Sequence, residues 1–156
     1  MKRTLIFSLV LVLAIAGIVF AQSADFSGTW VLDYAKSDLG SPMASKMQAR
    51  KIVLVIKQTA NQLSIERSMG DRKETAVFKL DGSESVNPLP GGGKMSTWTK
   101  WSGATLVAKS TSVIGGSNVE VNDLRSLSAN GRIMTLQVTR TTPRGVTKQT
   151  LIYNKQ

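Results

Sequence analysis

The stretch FSGTW, Phe26 to Trp30, sets a glycine two residues before a tryptophan where the folded part of the chain begins. At the two-residue period of a strand, Phe26, Gly28, Trp30, Leu32 and Tyr34 share one face, while Ser27, Thr29, Val31 and Asp33 share the other. The first face is apolar and therefore inward. An indole this early in an inward row acts as a plug, and a glycine on the same face leaves room for the ring or for a chain crossing beneath it. Trp30 is thus expected to be core that closes the bottom of a container. Contacts with anything held inside then fall to residues higher up.

The chain downstream repeats one pattern. Short runs rich in Val, Ile, Thr and Leu are bounded by Gly, Asn, Asp or Pro, and no stretch sustains a helical period. Strands are expected at 26–34, 50–59, 62–68, 72–80, 84–87, 94–102, 104–113, 118–128, 132–141 and 145–154. Their connections alternate. Those at 35–49, 68–71, 87–93, 114–117 and 142–145 are long or irregular, whereas residues 60–62, Asp81-Gly82, Ser102-Gly103 and Asn130-Gly131 read as tight turns. In an up-and-down sheet, successive connections fall at opposite ends, so the loose loops gather at one end and the tight turns at the other. Closing such a sheet removes its exposed edges. The expected fold is all-β: an up-and-down antiparallel barrel of about 8–10 strands, with a sandwich of the same strands as the competing arrangement.

Two details refine this. FSGTW followed by VLDYAKSD resembles the G-x-W entry motif of lipocalins and fatty-acid-binding proteins, and more closely the small exported lipocalin-like domains of bacteria. WSGATLVAKS (101–110) and the closing TLIYNKQ (150–156) are similar to the same group. The resemblance implies a lipocalin-like barrel and a basic residue of the last strand covering the motif tryptophan. Here the matching residue is Lys155, where lipocalins usually have arginine. Phe26, Gly28, Trp30 and Lys155 are therefore assigned to the base.

Ahead of this domain, Lys2 and Arg3 precede an apolar run from Leu5 to Phe20 and the small-residue pattern Val19-Phe20-Ala21. That is the layout of a secretory signal peptide, and the 16-residue run falls short of the roughly 20 needed to span a bilayer. Residues 1–21 are expected to be removed, with cleavage after Ala21 or, more slowly, after Ala24. Residues 22–156 then form one domain in the periplasm or outside the cell, carrying a net charge of about +8. The protein is expected not to span a membrane, and its oligomeric state is left open.

Composition narrows the chemistry. The chain has no Cys and no His, which removes thiol chemistry, disulfides, the usual general base and the usual zinc and haem ligands. No metal site and no cofactor is expected. GGGKMS at 91–96 lacks the spacing of a phosphate loop, with Pro88 and Met95 at positions that pattern reserves for Gly and Ser or Thr. The acids are scattered: Glu66, Glu120 and Asp33 fall on outer faces. Asp123 and Arg125 share a strand face and form either an interior polar pair or a solvated surface pair. No catalytic residue is assigned, although an interior carboxylate beside Tyr34 or Tyr153 would favour an enzyme.

The basic residues are more telling. Eleven of the 18 that remain after processing stand near the loose end: Lys36, Lys46, Arg50, Lys51, Arg67, Arg72, Lys73, Lys94, Arg140, Arg144 and Lys148. Leu63, Ile65 and Arg67 share a face, as do Met134, Leu136, Val138 and Arg140, so two apolar rows end in arginine at the rim. Each arginine either snorkels into solvent or grips the acidic head of an apolar ligand. Tyr34, Arg67, Arg140, Trp101 and Arg125 are the candidate ligand contacts. The function expected is binding of a small hydrophobic or amphiphilic, anionic molecule without transforming it. The alternative is a filled barrel whose basic loops hold an anionic envelope polymer or a protein partner. A volume inside the barrel separates the two. Nucleic acid is not an expected partner, because no exposed aromatics interleave with the basic residues.

Overall fold

A computed structural model describes residues 23–40 and 50–156, and the expected signal segment and Lys46 lie outside the described residues. Ten strands follow one another: β1 (Gly28–Leu32), β2 (Ile52–Gln58), β3 (Gln62–Met69), β4 (Arg72–Lys79), β5 (Asp81–Pro88), β6 (Lys94–Ser102), β7 (Thr105–Ile114), β8 (Ser117–Leu127), β9 (Ile133–Thr142) and β10 (Gly145–Lys155). They form one antiparallel sheet in the order β4-β3-β2-β1-β10-β9-β8-β7-β6-β5. Apart from β4 and β5, which are the two edges, each strand therefore pairs with its neighbour in sequence, and β1 pairs with β10 to bring the ends of the chain together, with Trp30 opposite Lys155 and Leu32 opposite Tyr153. All odd-numbered connections fall at one end, the mouth, and the even ones at the base. The sheet is a nearly closed barrel, and the sandwich arrangement is excluded.

The join between β4 and β5 departs from the turn expected at Asp81-Gly82. Both residues belong to β5, and Leu80 alone separates the strands. Gly82 takes a φ of 83°, and the register of β5 on β6 slips between Asp81 and Glu84. This kink turns β5 away from β4, so the two edges do not form a backbone ladder. Inward side chains close the seam instead. Asn87 Oδ1 accepts from Val77 N at 2.8 Å, Asn87 Nδ2 donates to Val77 O at 2.9 Å, and Ser85 Oγ accepts from Lys79 N at 2.8 Å. An amide and a hydroxyl thus satisfy edge groups that would otherwise be unpaired.

The base answers the question posed by FSGTW. Trp30 is fully buried and donates from Nε1 to Phe26 O at 2.8 Å. Lys155 Nζ lies 5.3 Å from the centroid of its ring, a cation over an indole face. A Cβ built on Gly28 would stand 2.7 Å from Lys155 Cε, and Gly28 has a φ of 134°. The glycine therefore makes room for the lysine that covers the tryptophan. Phe26 stacks on Trp101 with centroids 5.9 Å apart and planes at 11°. Above this floor, Leu32, Ile52, Leu54, Ile56, Leu63, Ile65, Met134 and Tyr153 continue the buried core.

If the seam depends on Asn87, Asn87→Ala leaves the N–H and C=O of Val77 without partners and lowers stability by about 1 to 3 kcal/mol in urea unfolding. Val86→Ala, next to it on the exposed outer face, changes stability by less than about 0.5 kcal/mol. Equal effects from the two substitutions would show that the seam does not hold the barrel shut.

Candidate functional site

The inner wall has two halves. From β1 to β3 and across β9 and β10 it is lined by Leu32, Leu54, Ile56, Ile65, Leu136 and Leu151, while β5 to β7 contribute the buried polar groups Ser85, Asn87, Thr97, Thr99 and Ser110. Alternation explains the second half: in β6 the polar residues Thr97 and Thr99 point inward, whereas Trp98 between them points out and is 39% exposed. Thr97 and Ser110 satisfy each other at 2.9 Å. Tyr34, Met69, Phe78, Val138 and Leu151 pack against the core yet are only half-buried.

Charge enters this lumen on β8, where Asp123 and Arg125 follow Val119 and Val121 on the inward face. Asp123 stands between Ala108 and Val138, and Arg125 between Leu106 and Leu136. These apolar neighbours set their chemistry. Burial pushes the Asp123 carboxyl above its ordinary range, against the opposing pull of the charges on Arg125 and Arg140. Burial likewise pushes the Arg125 guanidinium down, opposed by Asp123 and Tyr153. The Tyr153 phenol is raised by burial, against the pull of Arg67 and Arg125, and so stays neutral. Arg67 Nη1 lies 3.9 Å from Glu74 Oε2 nearer the mouth, and Tyr34 Oη donates to Arg50 O at 2.7 Å. Among the described residues above the floor, four arginines share the inward phase, Arg67 and Arg125 half-buried and Arg72 and Arg140 exposed at the rim, against two acids, Glu74 and Asp123, so cations outnumber acids on that face.

Among the described residues, the buried side-chain polar atoms without a hydrogen-bond partner are Thr99 Oγ1, Asp123 Oδ1, Arg125 Nε and Arg125 Nη1. The three residues that own them line a single cavity of about 30 Å³, together with Leu63, Phe78, Leu106 and Ala108. A wider open groove of about 820 Å³ runs over the mouth ends of β6 to β9, past Lys94, Ser96, Thr111, Val119, Glu120 and Thr141. Its size does not make it the better site. Most of its lining lies on outward positions, and Glu120 is already held by Lys109 at 2.9 Å. The unsatisfied polar groups belong to the small inner cavity.

No protein-family model matches the chain, and no curated protein matches it in sequence. Solved structures do match. The zebrafish ileal bile acid-binding protein complexed with cholic acid superposes with a TM-score of 0.63 at 18% identity, covering 84% of this chain and 98% of its own. The REP1-NXSQ fatty acid transporter gives 0.61 at 18%, covering 83% and 95%. Echinococcus granulosus fatty-acid-binding protein 1 gives 0.53 at 16%, covering 83% and 96%. The fold matches that of the solved fatty-acid-binding-protein structures. At these identities the likeness speaks for the fold alone.

The candidate residues separate by height. Tyr34, Arg67 and Arg140 stand toward the mouth, Arg125 lies deep in the lumen, and Trp101 belongs to the floor through its stack on Phe26. Of the two arrangements open for Asp123 and Arg125, the structure has the interior one. Asp123 and Thr99 were absent from the sequence-based candidates. The signal for Asp123 was its phase: it alternates in step with Val119 and Val121, which face inward. Thr99 carried no such signal, because the bulkier Trp98 beside it suggests the opposite face.

The sign of the Asp123 shift gives a pH prediction. A carboxyl whose folded-state value is raised holds its proton longer in the folded chain, so its contribution favours folding below the ordinary value of 3.8 and is lost as pH rises toward the folded value. Asp123→Asn removes this loss. Urea unfolding from pH 4 to 8 should show the parent losing stability relative to the variant as pH rises. A constant difference across that range would mean that Asp123 is not desolvated.

Proposed function

We propose that this chain is an exported carrier that holds a small anionic amphiphile in its barrel, tail against the apolar half of the wall and head group at Arg125. The observation behind this is the buried guanidinium with Nε and Nη1 unpartnered, in a lumen where cations outnumber acids. Such a group is costly unless something accepts its hydrogen bonds. Similar folds add support, since the neighbouring structures are a bile acid-binding protein, a fatty acid transporter and a fatty-acid-binding protein. Arg67 and Arg140 near the mouth draw the anion in, and Arg125 holds it. Room for the tail comes from displacing half-buried Met69, Phe78 and Leu151. Export is supported by Lys2, Arg3 and the apolar run ending at Ala21.

The charge of Asp123 is among those that act on the Tyr153 phenol, an interior carboxylate near a tyrosine of the kind that would favour catalysis. Binding is the better reading: the phenol is held neutral, and the carboxylate has guanidinium groups beside it where chemistry would need a nucleophile or a second acid.

A long-chain fatty acid should bind about ten- to a hundredfold more tightly than the alcohol of equal length, the value of one charge-assisted hydrogen bond. Arg125→Met should erase that preference, while Lys148→Met at the rim should leave it in place. Equal affinities for acid and alcohol in the parent would sink the head-group assignment, and no binding of either would favour basic loops that grip an anionic partner. Edman sequencing of protein recovered from the cell envelope should begin at Gln22; retention of Met1 would refute export.

A further inference from the structure

We propose that the inner cavity bounded by Thr99, Asp123 and Arg125 selects a head group that carries a hydrogen-bond donor next to its anionic acceptor, of the hydroxy-acid type, over a bare carboxylate. The inference rests on the carrier reading above and names the ligand class for the same site.

The unpartnered atoms of the cavity differ in kind. Arg125 Nε and Nη1 can only donate, Asp123 Oδ1 accepts whenever its carboxyl is ionised, and the Thr99 hydroxyl can do either. A plain carboxylate satisfies the guanidinium but brings a second negative charge against Asp123 and leaves Oδ1 without a donor. A hydroxyl on the carbon beside the carboxylate removes both faults. It donates to Asp123 while the carboxylate accepts from Arg125, and Thr99 Oγ1 bonds whichever oxygen is nearer. At about 30 Å³ the cavity takes the hydroxyl, with the carboxylate at its Arg125 edge, and excludes a ring. The surroundings sharpen the selection: Leu63, Phe78, Leu106 and Ala108 complete the lining and offer no competing polar partner.

The test is displacement of a fluorescent acyl probe from the mature protein by dodecanoate and by 2-hydroxydodecanoate at pH 7.5. The hydroxy acid should displace the probe at about one-tenth the concentration, the gain from a hydrogen bond to a charged acceptor. In Asp123→Asn the plain acid should bind more tightly than in the parent, because the repulsion is gone, and the ratio should fall below about three. Thr99→Val, close in shape to the parent residue, should reduce the ratio without removing it and serves if Asp123→Asn fails to fold. Equal displacement by the two acids in the parent would overturn the proposal while leaving the carrier reading intact. So would a plain acid that tightens as pH falls with no hydroxyl preference, because Asp123 would then share a proton with the ligand. A preference that survives both substitutions would place the hydroxyl elsewhere and likewise overturn it. Displacement by neither acid would defeat the carrier reading, and this inference with it.

Discussion

A guanidinium turned into a barrel with its Nε and Nη1 lacking hydrogen-bond partners is the constraint on which the rest of this molecule turns. Arg125 sits between Leu106 and Leu136, and burial destabilises its charged form. Water would relieve it at once, so the arrangement is informative only if the barrel keeps bulk water away. The floor does so from below, through Trp30 under Lys155 and Phe26 on Trp101. The seam does so from the side, where Ser85 and Asn87 stand in for a missing backbone ladder. Both devices use inward positions, and cations outnumber acids on the inward face above the floor.

The polarity of the wall follows from the same economy of positions. Residues that stitch the seam must be polar and must face inward, which makes β5 hydrophilic on its inner face. Thr97 and Ser110 continue that character around the barrel by bonding to each other. The opposite strands carry branched aliphatic residues from Leu32 to Leu151. The lumen therefore has an apolar wall and a polar corner, and Thr99, Asp123 and Arg125 occupy that corner.

Much of the fold was legible in the sequence because β structure writes itself locally. Alternation placed Phe26, Trp30 and Leu32 on one face, and loose connections alternating with tight turns gave the two ends of the barrel before any pairing was known. Asp81-Gly82 misled because the dipeptide that suits a hairpin also suits a kink, and only the failure of β4 and β5 to pair tells them apart. The site was less legible. Its residues come from β3, β4, β6, β7 and β8, so no local window contains it. Period two alone does not tell the inside of a barrel from its outside where both faces are polar, which is why Asp123 and Arg125 admitted two readings. Trp101 shows the converse, an aromatic whose height in the barrel is fixed by the partner it stacks on, Phe26.

The central claim is that the ligand enters the lumen and reaches Arg125. Titrating the ¹⁵N-labelled mature protein with dodecanoate while following backbone amide shifts tests it directly. The account predicts the largest changes at Thr99, Leu106, Asp123 and Arg125, which line the inner cavity, and at Leu136 beside Arg125. Changes confined to the rim, at residues 88–94 and 142–146, would contradict it and show an amphiphile bound outside a barrel that stays closed.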